Sequence, residues 1–110
     1  MEVRAHARLV IQGQDETLPG AFGPGCVQLL EGIDREKSLN RAAKALGMAY
    51  SKAWRIVNEA EAQLGCPLIE RNGAKGSTLT DDGRRVLDAY LTLQEEIDAL
   101  VSHRTPELFF

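Results

Sequence analysis

In the stretch YSKAWRIVNEAEAQL, residues 50 to 64, Ser51, Lys52 and Arg55 fall together on the polar side of an apolar stripe. A hydroxyl, an ammonium and a guanidinium in one patch can bond phosphate oxygens and the edges of nucleic-acid bases. Of the three, Arg55 has the fork geometry that matches the paired acceptors of guanine. A second polar group, Ser38, Asn40 and Arg41, opens the helical pattern just upstream. There the free N–H groups and dipole of a helix start would add to side-chain bonds with phosphates. Lys75 stands in the Asn-Gly-rich segment NGAKGS and suits a phosphate or an adjacent minor groove. Tyr50 either contacts the same partner or only supports the turn before it. Trp54, beside the apolar stripe, is read as a core residue ahead of one that stacks on a ligand.

Other chemistry finds little support. Cys26 and Cys66 have no His near them in sequence, and His6 and His103 lie far apart. No nucleophile-base pair and no pair of carboxylates converges, and Asp81-Asp82 is explained as charge at a helix start. No catalytic residue, no metal site and no cofactor is expected. Both cysteines are read as reduced, buried, small apolar residues.

The elements that would hold these groups follow from periodicity. Residues 3–12 alternate, with Ala5, Ala7, Leu9 and Ile11 on one side, and predict a strand. The Gly- and Pro-rich stretch 13–25 predicts a loop, and 24–35 a first helix with Pro24 near its start. Ser38 can cap a second helix whose inner positions are Leu39, Ala42, Ala43 and Leu46. Gly47 ends it by taking a left-handed conformation without a Cβ penalty. A third helix, Tyr50 to Leu64, buries Ala53, Val57, Ala60 and Leu64. Gly65 and Pro67 stop it. Two β-prone runs, PLIER and STLT, flank the NGAKGS tip and predict a hairpin. Thr80 can cap a last helix, whose Val86, Tyr90, Leu93, Ile97 and Leu100 repeat at spacings of four and three, a heptad seam widened by Leu87, Leu91 and Val101. The tail after Pro106 is left without an assignment.

Helix, helix, turn, helix, hairpin is the order of a winged helix-turn-helix. The fold class expected is mainly α with a small β component, carrying an N-terminal strand and a long C-terminal dimerisation helix. All 110 residues form one domain: a strand at 3–12, a three-helix core at 24–65, a wing at 66–80 and a dimerisation helix at 80–104. The short turn around Gly47 leaves one face of the third helix free to enter a major groove.

Charge supports that reading once it is mapped. The formal net charge is −3. Residues 35–85 hold ten Lys and Arg against six acids, net +4, whereas 1–34 carry net −3 and 86–110 net −4. A basic middle between acidic ends marks a local anion-binding face. No long apolar run and no signal-peptide pattern is present in the sequence, so a cytoplasmic protein with no membrane partner is expected.

Three segments carry a resemblance: GPGCVQLLEGID, KSLNRAAKALGMAYSKAWRIVNEAEAQLGCPLIER and LTDDGRRVLDAY. Together they resemble the N-terminal DNA-binding domain of the molybdate-responsive ModE regulator family, which is similar to the winged helix of LysR-type regulators. The most specific part is Gly47-Met48-Ala49-Tyr50-Ser51-Lys52-Ala53-Trp54. The resemblance implies a dimer built on the terminal helix and supported by the N-terminal strand. Ala49 and Ser51 depart from the family, which usually has Ser and a basic residue there, and the wing is shorter. The molybdate-binding domains of the full regulator are lacking, so molybdate sensing is not expected of this chain.

The expectation is therefore a homodimeric transcription regulator that binds specific double-stranded DNA, through Ser38, Asn40, Arg41, Tyr50, Ser51, Lys52, Arg55 and Lys75. Its regulation would come from a separate effector protein or from abundance alone. The alternative is a winged-helix protein-interaction or adaptor module without specific DNA binding.

Overall fold

A proline fits the first turn of a helix, where its missing N–H would be unpaired in any case, and Pro24 opens α1, Pro24–Glu36. This computed structural model describes residues 3–110. Lys37 ends α1 in the left-handed conformation, φ 58°, and donates its N–H to Ile33 O at 2.7 Å. Ser38 then caps α2, Leu39–Ala45, its Oγ accepting from the Arg41 N–H at 3.1 Å. Gly47, φ 66°, turns the chain out of α2, and the Met48 N–H returns to Ala43 O at 2.9 Å. After that turn comes α3, Tyr50–Leu64. The remaining elements are β1, Ile69–Arg71, β2, Ser77–Leu79, and the long α4, Asp81–Phe109. The two strands are antiparallel, with Glu70 opposite Thr78, and a single 3-10 turn at Gly73–Lys75 makes the tip.

α1 is the centre of the core. Cys26, Val27, Leu29, Leu30 and Ile33 are buried along it. Around them close Leu39, Ala42 and Ala43 of α2, Ala53, Val57 and Ala60 of α3, Leu68 and Ile69, Leu87 and Tyr90 of α4, and Phe22. Small residues set the tightest approach. A Cβ on Gly32 would lie 2.8 Å from Ala42 Cβ, so α1 and α2 meet almost backbone to backbone. The small residues of α2 thus serve its contact with α1 as well as with α3. Burial pushes the Cys26 thiol up to about 12, which leaves it inert. Cys66 is free and half-buried rather than fully buried.

Four expectations need correction. Residues 3–12 run without regular strand structure, paired only by one isolated bridge between Ile11 and Phe22. Among the described residues no strand lies beside them; α4 side chains take their hydrogen bonds instead. Gln94 accepts from the Leu9 N–H and donates to Ala7 O, and Tyr90 donates to Leu9 O at 2.7 Å. Second, α4 does not stop near residue 104 but continues through Pro106 to Phe109. Third, the heptad seam is divided. Tyr90 turns inward, edge-on to Phe22 with centroids 5.5 Å apart, whereas Leu93 and Leu100 are exposed. Fourth, Leu46 is not an inner residue of α2 but its exposed C-cap.

Loop and wing are both fastened to the core. Buried Gln63 accepts from the Gly13 N–H at 2.8 Å and turns its amide nitrogen to the carbonyls of Leu18, Pro19 and Gly20. Glu61 accepts from the Leu68 N–H at 2.8 Å where the chain leaves α3 for the wing. Ser77 donates its N–H to Lys37 O at 2.9 Å. The wing therefore hangs from the α1–α2 junction. A Cβ on Gly76, φ +93°, would collide with that same carbonyl at 2.1 Å.

Candidate nucleic-acid interface

The stripe of α3 decides what faces out. With Ala53, Val57, Ala60 and Gln63 buried, the 3.6-residue period turns Ser51, Arg55 and Ala62 directly to solvent. Lys52 flanks them on one side, and the row Tyr50, Trp54, Asn58 on the other. Ser51, Lys52 and Arg55 are all exposed, as the sequence predicts. Lys52 has no carboxylate partner within salt-bridge distance among the described residues. Arg55 is engaged: its Nη1 lies 3.4 Å from Glu59 Oε1, one turn on. An exposed pair of this kind contributes about 0.3–0.5 kcal/mol, so a stronger acceptor can draw Arg55 away.

The second group assembles across two elements. Glu36, Lys37, Ser38, Arg41, Ala74, Lys75 and Gly76 line one shallow cleft of about 240 Å³ between the start of α2 and the wing tip. The bond from Ser77 to Lys37 brings the tip there. Ser38, Arg41 and Lys75, three residues singled out from sequence, thus share a site, and Lys37 joins them. Arg41 and Lys75 have no carboxylate partner among the described residues. Lys37 lies 3.6 Å from Asp34. Asn40 is exposed at the start of α2 but does not line the cleft. Arg41 and Lys75, with Lys37 offset by Asp34, stand against the carboxylate of Glu36 and leave the cleft net positive, and the Ser38 hydroxyl, whose oxygen is occupied by the cap, still has its proton to donate.

Trp54 is not a core residue: 43% of it is exposed. Tyr50, four residues earlier, is 47% exposed. The wing reaches this row through Arg71, whose guanidinium lies 5.0 Å from the Trp54 ring centroid and donates to Asn58 Oδ1 at 3.0 Å. Sequence reasoning missed both Lys37 and Arg71. The signal for Lys37 was its place directly before the capping Ser38. For Arg71 it was a cation ending the strand that leads to the tip. Away from this face, Arg84 of α4 bonds Asp34 of α1 and holds its carboxyl below the usual carboxylate range. No helix of the described residues is long and apolar enough to cross a membrane.

Comparison with known proteins places this geometry. The family model for bacterial regulatory helix-turn-helix proteins of the lysR family matches residues 27–84, from within α1 through the wing into α4. The molybdenum transport protein ModE of Azotobacter vinelandii is 34% identical over 86 residues, 74% of this chain but 32% of that protein. This chain thus spans about a third of that relative's length. Among solved structures, the CbnR DNA-binding domain in complex with DNA superposes with a TM-score of 0.62 at 22% identity, covering 77% of this chain and 95% of that one. The BenM DNA-binding domain on benA site 1 DNA gives 0.59 at 23% identity, covering 74% and 93%. These structural likenesses show the fold, and the family rests on the sequence match. The chain belongs to the LysR family of bacterial regulatory helix-turn-helix proteins, a family of regulators rather than of enzymes.

Proposed function

We infer that this chain binds specific double-stranded DNA as a homodimeric transcription regulator, with α3 in the major groove and the wing on the flanking backbone. The observation that carries the reading is the division of the exposed polar residues into two groups. Ser51, Lys52 and Arg55 stand exposed on α3, and Ser38, Arg41 and Lys75 gather in a separate basic cleft. The first group suits base edges and the second phosphates. Arg55 reaches a guanine by leaving Glu59, and Tyr50 lies at the leading end of the same helix. That relatives of this fold have been solved on DNA supports the reading.

The domain is taken as one unit, residues 1–110, with 24–65 as its helical core, 66–80 as the wing and the helix from 80 as the dimer element. Leu93 and Leu100, exposed on α4, supply apolar surface for a second copy. A two-fold dimer presents two copies of α3 about one helical turn, roughly 34 Å, apart. Such a regulator works in the bacterial cytoplasm, where the chromosome is, under a separate effector protein or by its abundance. The molybdenum link in the name of the Azotobacter relative is left aside, because this chain spans 32% of that protein.

The test is selection from a pool of random duplexes at two salt concentrations, with sequencing of what is retained. The expected result is a near-palindromic motif whose binding falls steeply with salt, because each neutralised phosphate releases counterions. Retention of no sequence favours the second reading, an interaction module, for which the apolar flank of α4 speaks.

A further inference from the structure

Trp54 is the only tryptophan in the chain, and nearly half of it lies in water on a helix whose other large side chains are polar-tipped or at least half-buried. A large aromatic gains more from burial than most residues, so a fold that leaves it outside does so against that gain. Nor is the ring loose. Arg71 lies over it at 5.0 Å and is itself held by Asn58 Oδ1 at 3.0 Å. The wing thus covers the indole with a guanidinium that α3 itself anchors through Asn58. Trp54 sits three residues after Ser51 on the helix surface, beside the face assigned to bases.

We propose that Trp54 reads DNA: its exposed indole edge packs on the 5-methyl group of a thymine in the major groove, and Arg71 is the positioning residue that fixes the ring. This rests on the reading of α3 as the groove-entering helix. The choice of thymine follows from what a duplex offers. Base faces are stacked and closed to a ring, and the base edges in the major groove are hydrogen-bonding groups save for one apolar feature, the thymine methyl. Indole carries a single donor and no acceptor, so its remaining edge can add only apolar contact. The Arg71 stack selects the ring orientation, which a planar guanidinium does and a lysine ammonium does not.

The experiment takes the motif retained by the wild-type chain and replaces each thymine in turn by deoxyuridine, which removes the methyl alone. At one thymine per half-site, wild-type affinity should fall about fourfold, the worth of one buried methyl group. Trp54→Ala should bind the thymine and uracil duplexes equally, and Trp54→Phe should keep part of the difference. Arg71→Lys should shrink the same difference and shift the fluorescence of the single tryptophan. If no methyl matters, or if Trp54→Ala still discriminates, the assignment of Trp54 is overturned while DNA binding stands. A wild-type chain that retains no sequence overturns both readings, before any uracil is introduced.

Discussion

On α3 the larger side chains left in solvent are Ser51, Lys52, Arg55 and two aromatics with polar tips, Tyr50 and Trp54, beside the small Ala62. On α4 they include Leu91, Leu93, Leu100, Leu108 and Phe109, standing among Glu95, Glu96 and Asp98. Trp54 and Leu93 are equally exposed, at 43%, yet they ask for different partners. The cations and hydroxyl of the α3 face cost little in water and gain by meeting phosphates and base edges. The α4 flank gains about 25 cal/mol for each Å² of apolar surface withdrawn from water, and its acids repel a nucleic acid. One helix suits a polyanion and the other suits apolar surface. Under the proposed function these are the duplex and the second copy.

Neutralising the first face should have the largest effect. Lys52→Ala with Arg55→Ala should weaken binding to the selected duplex by about thirtyfold or more, on the scale of 1–3 kcal/mol per lost base contact. Sedimentation should remain unchanged. A double variant that still binds its motif would break the comparison from the α3 side. Charging the second face should come next. Leu93→Glu with Leu100→Glu should leave the circular dichroism of the helices in place, because both positions are exposed, and convert a dimer to a monomer in the ultracentrifuge. Binding to a full site should then fall by about tenfold or more, through loss of the linked second half-site. An unaltered mass, or a wild-type chain that is monomeric at high concentration, would remove the dimer from the proposal.

The smallest effect is expected where α4 is tied to α1. Arg84 of α4 donates to Asp34 of α1, and this hydrogen bond holds the Asp34 carboxyl below its ordinary value of 3.8. The charged form is favoured by folding, so the pair adds stability above the ordinary carboxylate range. That contribution disappears as pH falls through the lowered value. Acid titration of Asp34→Asn should show slightly less pH dependence than wild type in that window. Both side chains are partly exposed, so the difference in midpoint should be slight, and a large one would mean that the tie matters more than its exposure allows.

Much of the scaffold was legible because local rules agreed. Ser38, Gly47, Gly65 and Thr80 each act where the sequence placed a cap or a stop, and Ala53, Val57 and Ala60 of the predicted α3 stripe are buried, whereas Gln63 takes the buried place expected of Leu64, which is only half-buried. The failures were tertiary. Alternation in 5–11 is real, but a strand needs a neighbour, and the residues that take its hydrogen bonds, Tyr90 and Gln94, lie more than 80 positions away. The heptad was counted on one helix, whereas Phe22 from a distant loop drew Tyr90 inward. Likewise no local pattern could place Arg71 over Trp54, or Lys37 beside Lys75, since each pair depends on how the hairpin hangs from the core. The individual cationic residues could be found from type and spacing; their grouping into a face and a cleft could not.

Gln63 carries a consequence for the lifetime of the chain in a cell. The stretch between Gly13 and Gly20 holds no helix or strand, and it includes Glu16, the kind of exposed polar segment where endoproteases cut. Cleavage requires several residues to be drawn out and extended in the enzyme's cleft. Four backbone groups of this stretch are held by one buried amide, so the segment must first let go of α3 before a protease can thread it. Its resistance to nicking is therefore set by the opening of the core around Gln63, and the loop should last about as long as the helix that holds it.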